Sequence, residues 1–283
     1  MNIRTVEKNR LVYYGQAANN PKFWNSHWAS QDIESILREA RSGNLGYLRD
    51  IFLTHLPKNG KILEAGCGTG SIVVALGAHG YDCVGVEFSE SVVNRAKAIF
   101  PDLPVHVGSI FDLDFPDNYF AGYISLGVVE HYREGPERAL KEAYRVIEPN
   151  GVLLISVPYF SPLRQKRHRQ GKYILSTGGS RQFYQYAFAK AEFANFVRRA
   201  GFQINKVCYY DAVKGIKDEV PCFKWFYERG VGFEGSAIHR RIARALYGRL
   251  YHQMLHWLNS NPIILRYSAH MMMIIGKKNN KNA

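Results

Sequence analysis

Three glycines at alternate positions, Gly66, Gly68 and Gly70, follow a short apolar stretch that ends in a carboxylate, Glu64. Glycine at such spacing lets the backbone take φ > 0 and lets a ligand approach it closely. A helix-like run, Ser71 to His79, comes next. Strand, glycine turn and helix in that order predict the first unit of an α/β nucleotide-binding fold. The dinucleotide fingerprint G-x-G-x-x-G would need its third glycine at position 71, and that residue is Ser71. The spacing therefore disfavours a nicotinamide cofactor. Glu64 stands two residues ahead of the first glycine, where it can meet a cationic amino acid group.

Further chemistry-bearing residues fall at strand ends. Tyr81 to Glu87 reads as a second buried strand ending in a carboxylate. Glu87 lies about twenty residues past the glycine loop, the separation of an acid that accepts hydrogen bonds from ribose hydroxyls. Ser89 reads as the N-cap of a helix over 90–100. A third short strand from Pro104 leads to Ser109 and Ile110. A fourth, Phe120 to Gly127, runs into Val128-Val-Glu-His-Tyr132. That placement puts Leu126, Gly127, Glu130 and His131 at the carboxyl edge of the sheet, where open α/β folds bind ligands.

The runs Glu64-Ala-Gly-Cys-Gly-Thr-Gly70, Ser125-Leu-Gly-Val-Val-Glu-His131 and Tyr144 to Ile155 resemble the corresponding segments of class I S-adenosylmethionine-dependent methyltransferases, small-molecule members of type 11/12. The resemblance covers the cofactor half well and the acceptor half loosely. It implies S-adenosyl-L-methionine as cofactor and S-adenosyl-L-homocysteine as product. It also implies a Rossmann-like α/β fold, with a seven-stranded, mostly parallel sheet and helices on both faces. The cofactor residues so implied are Glu64, Gly66, Cys67, Gly68, Gly70, Glu87, Phe88, Ser109, Ile110, Leu126 and Gly127. Ser109 departs from the family pattern, in which an acid is common at that position. Its hydroxyl would accept a hydrogen bond more weakly than a carboxylate.

Methyl transfer from a sulfonium is an in-line displacement that mainly needs alignment and exclusion of water. An oxygen or nitrogen nucleophile can also need a base, for which histidine is suited. His131 is the candidate base, with Tyr14 and Tyr184 as acceptor-side candidates; the plain alternatives are a helix-capping His131 and packing tyrosines. No metal site is expected.

The elements that must hold these residues divide the chain. Residues 1–44 form an N-terminal arm and helix over the cofactor site, rich in aromatics (Tyr13, Tyr14, Trp24, Trp28) but without helix or strand period over 13–28. Trp24 and Trp28 either staple that arm to the core or cover the cofactor. Residues 45–212 form the core, with acceptor loops at 159–188: a basic loop over 163–172 and an aromatic one over 181–188. Helix 190–200 and a sixth strand, 202–210, follow. Residues 213–262 form a helical cap insertion with one apolar side (Phe226, Leu246, Leu250, Leu255, Leu258). Residues 263–283 carry the last strand, expected antiparallel beside the sixth, and a tail.

Hydrophobic content of 46%, with 13% aromatics, is that of a globular chain. The start, Met1 to Arg10, lacks a signal-peptide core, and no run approaches the roughly 18 apolar residues of a membrane span. Four scattered cysteines form no C-x-x-C pair, so reduced thiols and a cytoplasmic setting are expected. The net charge of +13 is uneven: residues 161–190 hold seven Lys and Arg and no acid, whereas 61–158 hold seven against thirteen acids. Such a field suits an anionic partner. The expected partner is a phosphorylated, carboxylated or lipid-linked small-molecule or glycan acceptor. The competing readings are a nucleic-acid methyltransferase, a cap touching a membrane surface, a non-catalytic protein with this fold, and a solvated basic face.

Overall fold

The computed structural model describes residues 3–173, 182–230 and 252–279. Parts of the expected acceptor loops (174–181), of the cap (231–251, with Leu246 and Leu250) and the tail at 280–283 lie outside these residues.

Seven strands form the central sheet in the order β5-β4-β3-β6-β7-β10-β9. β3 (Lys61–Ala65) pairs parallel with β4 (Asp82–Glu87) and with β6 (Phe120–Leu126), and β4 pairs parallel with β5 (Val105–Val107). β6 pairs parallel with β7 (Ile147–Pro158). β10 (Met271–Lys278) slots antiparallel between β7 and β9 (Phe202–Tyr210). The last strand therefore lies where the sequence predicts. The inner strands β3, β6 and β10 are buried along almost their whole length because helices cover both faces, whereas the edge strands β5 and β9 are partly exposed. One apolar cluster, around Leu37, Phe52, Leu76 and Val93, lies under α2 (Ile33–Arg41), α3 (Arg49–His55), α4 (Ser71–Ala78) and α5 (Glu90–Ile99). The other, around Tyr123, Leu140, Leu153 and Phe193, lies under α6 (Glu137–Val146) and α8 (Lys190–Arg199).

Two stretches differ from expectation. The aperiodic N-terminal arm begins as an antiparallel hairpin, β1 (Ile3–Glu7) and β2 (Arg10–Gly15), turned at Lys8 with φ +56°. The aromatic loop at 181–188 is mostly strand β8 (Gln182–Phe188), which pairs with β2 to complete a second, three-stranded sheet. Aromatic residues suit such a half-buried pleated surface. Pairing across 170 residues leaves no local period to read.

The basic loop at 163–172 is largely a helix, α7 (Pro162–Arg169). Ser161 caps it by accepting the Arg164 N–H at 3.4 Å, and Pro162 occupies its first turn, a regular helix start. The central cation of that stretch is not on the surface. Arg164 is fully buried, donating from Nη1 to the Tyr159 carbonyl at 2.7 Å and from Nε to Glu219 Oε1 at 3.3 Å. Glu219 also accepts from Arg4 Nη1 at 2.5 Å and from the Tyr173 hydroxyl at 2.6 Å. A hairpin strand, α7 and α9 (Ala212–Glu219) are thus tied by one ionic knot. Beyond α9 come α10 (Pro221–Gly230), α11 (252–260) and α12 (Pro262–Ser268). Among the described residues no helix is long and apolar enough to cross a membrane, and no cluster of metal-ligating side chains occurs.

Candidate active site

The carboxyl ends of β3, β4 and β6 meet one cavity of ≈ 310 Å³. Nine of the residues singled out from the sequence line it: Gly66, Gly68, Glu87, Phe88, Ser109, Ile110, Leu126, Gly127 and His131. Cys67, Gly70, Glu64, Tyr14 and Tyr184 do not line it.

The glycine loop has its shape because nothing larger fits. Gly66, Gly68 and Gly70 take φ +80°, +54° and +79°. A Cβ on Gly66 would sit 2.5 Å from Val128 Cγ2, and one on Gly68 would sit 2.7 Å from Trp28 Cζ2. Bare backbone therefore faces the cavity. Glu87 closes the next strand, its Oε2 accepting the Gly68 N–H at 3.0 Å and its Oε1 the Ser89 N–H at 2.9 Å. Burial raises its carboxyl above the ordinary value, and those two N–H groups oppose the rise. Each oxygen keeps a second lone pair to accept from hydroxyls.

Glu64 sits behind the loop, 4% exposed, with Oε2 unpaired. Burial, reinforced by the nearby Glu87, pushes its carboxyl up to about 8. Cys67 is buried, and desolvation raises its thiol well above the usual range, so it is packing and not a nucleophile. Ser109 turns its hydroxyl back to accept the Phe111 N–H at 3.2 Å. The segment after it is held by Arg145, which donates to the Leu113 and Phe115 carbonyls at 2.8 Å, while Glu142 Oε1 accepts the Leu113 N–H at 2.7 Å.

The roof is aromatic and comes from α1 (Pro21–Ala29). Asn20 starts this helix by accepting the Phe23 N–H, with Pro21 in its first turn. The helix is fastened to α5 by Ser89 Oγ donating to Asn25 at 2.5 Å and Arg95 donating to the Trp28 carbonyl at 2.8 Å. Trp24 and Trp28 both line the cavity, and Trp24 meets the His131 ring edge-on at 5.2 Å. Ala18, Asn19, Phe111, Val128 and Tyr132 also line it and were not singled out from the sequence. Phe111 and Tyr132 pack edge-to-face at 4.5 Å. Each directly follows a singled-out motif residue, and that adjacency was the available signal.

His131 sits on a single 3-10 turn, Val129–His131, buried at 5% exposure. Its Nδ1 lies 3.0 Å from the Tyr184 carbonyl oxygen. A carbonyl only accepts, so Nδ1 carries the proton. Desolvation pushes the ring down to about 4, against the hydrogen bond that would raise it. The neutral ring therefore offers Nε2 as an acceptor. Glu130 beside it is buried with Oε2 unpaired, and burial pushes its carboxyl up to about 8. Tyr184 packs against His131 at 5.2 Å and Phe23 at 5.8 Å, one residue outside the lining. Tyr14 points elsewhere: its hydroxyl donates to Glu7 at 2.6 Å and accepts from Arg133 at 3.3 Å.

A bare glycine cradle, a strand-end carboxylate with spare lone pairs and an aromatic roof fit an amino acid–nucleoside cofactor. The comparisons with known proteins agree. Residues 63–155 match the family model described as methyltransferase domain. A relative from Mycolicibacterium smegmatis, named a probable S-adenosylmethionine-dependent methyltransferase, is 30% identical over 115 residues, 40% of this chain and 44% of that protein. A demethylmenaquinone methyltransferase of Renibacterium salmoninarum is 34% identical over 108 residues, 37% of this chain and 45% of that protein. The chain thus spans less than half the length of these relatives. A Haloferax volcanii methyltransferase solved with the Trm112 methyltransferase activator shares the fold over 91% of this chain and 98% of that one, with TM-score 0.55 at 16% identity. Residues 63–155 thus carry a methyltransferase domain similar to that of S-adenosylmethionine-dependent methyltransferases, within a fold that the Haloferax protein shares.

Proposed function

We propose that this protein transfers a methyl group from S-adenosylmethionine to an oxygen or nitrogen of a small organic acceptor. The observation that carries the reading is the neutral, tautomer-fixed His131 lining the same cavity as the glycine cradle. Bound S-adenosylmethionine would supply an electrophilic methyl group on its sulfonium. Gly66 and Gly68 would hold its amino acid end, Glu87 its ribose hydroxyls, and Ser109 and Ile110 its adenine. Glu64 would lend negative charge from behind the loop, where an ammonium group would draw its proton off. Cys67 and Gly70 would act on the loop's conformation alone, and Phe88, Leu126 and Gly127 would contribute apolar and backbone surface. His131 Nε2 would take the acceptor's proton, and Tyr184 would hold the imidazole in place through its carbonyl. The N-terminal segment 1–44 would close the cofactor side, and the helices within 213–262 the acceptor side.

The name of the Renibacterium relative supports a small organic acceptor. So does the lining, which among the described residues contains no lysine or arginine to grip a nucleic acid backbone. The test is transfer of a tritiated methyl group from S-adenosylmethionine into a cell extract. Label in the low-molecular-mass fraction that disappears with His131→Ala supports the reading, and label found only in RNA or DNA overturns it.

A further inference from the structure

A second cavity, of ≈ 450 Å³, opens on the other side of Tyr184. Its lining differs in kind from the first. Among the described residues, Arg4, Lys214, Lys217, Lys224 and His270 face it, with Asp218 as the one acid. Burial holds His270 near 4, so the ring is neutral, and among the described residues the lining has four cationic side chains and one carboxylate. Behind the wall, Glu219 pairs with both Arg4 and Arg164, so Arg4 comes to the pocket already anchored and the two lysines of α9 carry most of its positive field. Among the described residues, no lysine or arginine lines the cofactor cavity. Positive field is thus concentrated in one pocket beside the reaction centre.

The fold puts the two cavities on one edge. β9 runs parallel to β7, since both lie antiparallel to β10, so its carboxyl end points the same way as the glycine loop. α9 starts at that end, with Asp211 as its N-cap in the left-handed region at φ +60°. Lys214 and Lys217 sit in its first and second turns. Lys214 reaches Asp218 at 3.2 Å; Lys217 lies over the Tyr227 ring at 4.8 Å and has no carboxylate within ion-pair distance among the described residues. Tyr13, not Tyr14, is the β2 tyrosine that turns inward, and it lines this second cavity with Gln185. Tyr184 lines it too and stacks edge-on with His131 at 5.2 Å, so a ligand held here lies one side chain from that ring.

Resting on the methyltransferase reading above, we propose that this pocket is the acceptor's anion subsite. It holds a phosphate or pyrophosphate group through Lys214, Lys217 and Arg4 while the atom to be methylated reaches past Tyr184 to His131. Two ammonium groups and a guanidinium in a concave site match a doubly charged phosphate, and the guanidinium adds a paired donor face. Residues 164–172, the cationic stretch most prominent in the sequence, do not line this pocket.

The experiment titrates inorganic pyrophosphate into the full chain by calorimetry, with S-adenosylhomocysteine titrated separately. Pyrophosphate is expected to bind at one site, more weakly as salt is raised. Lys214→Ala/Lys217→Ala should lower that affinity by about tenfold or more, the loss of charge-assisted bonds, and leave S-adenosylhomocysteine affinity unchanged. Lys214 is exposed and Lys217 half-buried, neither in the core, so the variant should fold; an unchanged melting temperature checks it. No pyrophosphate binding, or binding the double variant does not weaken, overturns the subsite. Pyrophosphate binding without S-adenosylhomocysteine binding would sink the methyltransferase reading and, with it, the acceptor role. Vesicles containing phosphatidic acid form a second arm. Variant-sensitive retention on them assigns the phosphate to a lipid headgroup, and variant-sensitive binding of pyrophosphate alone assigns it to a soluble phosphorylated compound.

Discussion

The Nδ1 of His131 lies 3.0 Å from the backbone carbonyl oxygen of Tyr184. One hydrogen bond thus links the turn after β6 to a strand of the small sheet, and it fixes which nitrogen carries the proton. A side chain from 53 residues away would not serve as well, because a carbonyl cannot reverse its role.

His131→Ala should lower kcat by about 10²–10⁴-fold, the usual contribution of a general base, with S-adenosylhomocysteine affinity little changed. Because burial holds this ring near 4, its titration should not appear in kcat/KM between pH 6 and 9. Steady-state rates and calorimetry on wild type and variant check both points. A rate limb near pH 6.5 that His131→Ala abolishes would contradict the assigned state.

Stability should depend on pH with two opposed arms. Glu64 and Glu130 hold protons to about 8 in the fold, against an ordinary 4.5, so their contribution is lost as pH rises through that window. His131 and His270 titrate near 4 instead of 6.5, so theirs is lost as pH falls through that one. Above about 6.5 the carboxyls act alone. The urea midpoint should therefore fall from pH 6.5 to 8, and Glu64→Gln/Glu130→Gln should flatten the fall. A slope unchanged in that variant would contradict it.

Gly68→Ala should destabilise by about 1–2 kcal/mol, the cost of a left-handed residue bearing a Cβ, and should weaken cofactor affinity. The added carbon would lie 2.7 Å from Trp28, so it pushes the roof off the loop as well as straining it. Calorimetry with S-adenosylhomocysteine measures the second effect, and wild-type affinity in the variant would contradict the packing described.

Arg164→Met should cost about 3–5 kcal/mol, because it removes the fully buried cation 3.3 Å from Glu219 and leaves that buried carboxylate to Arg4 and the Tyr173 hydroxyl alone. Arg164→Met/Glu219→Leu should recover part of that loss. Chemical denaturation of the three proteins decides it; no recovery in the double variant would mean the damage is steric and not electrostatic.

The cofactor half was legible because each of its signals is local. A glycine run, an acid at a strand end and an apolar strand fall within a few residues of one another, so spacing alone places Gly66, Glu87 and Gly127 on one edge. The acceptor half is assembled from distant pieces. β2 meets β8 with Val12 opposite Tyr186, and nothing within either stretch records that pairing. The cations misled for the same reason: Arg164 looks solvated in a row of arginines and lysines, yet a glutamate 55 residues later takes it inside. Tyr14, the candidate from the sequence, is turned to Glu7 by strand alternation, and its neighbour Tyr13 is the one turned inward.

Calorimetric titration of the wild-type chain with S-adenosylmethionine and with S-adenosylhomocysteine tests the central claim most directly. One site per chain for each, lost on Gly68→Arg, is the expected result. No heat of binding from either ligand in the folded wild-type protein would contradict it.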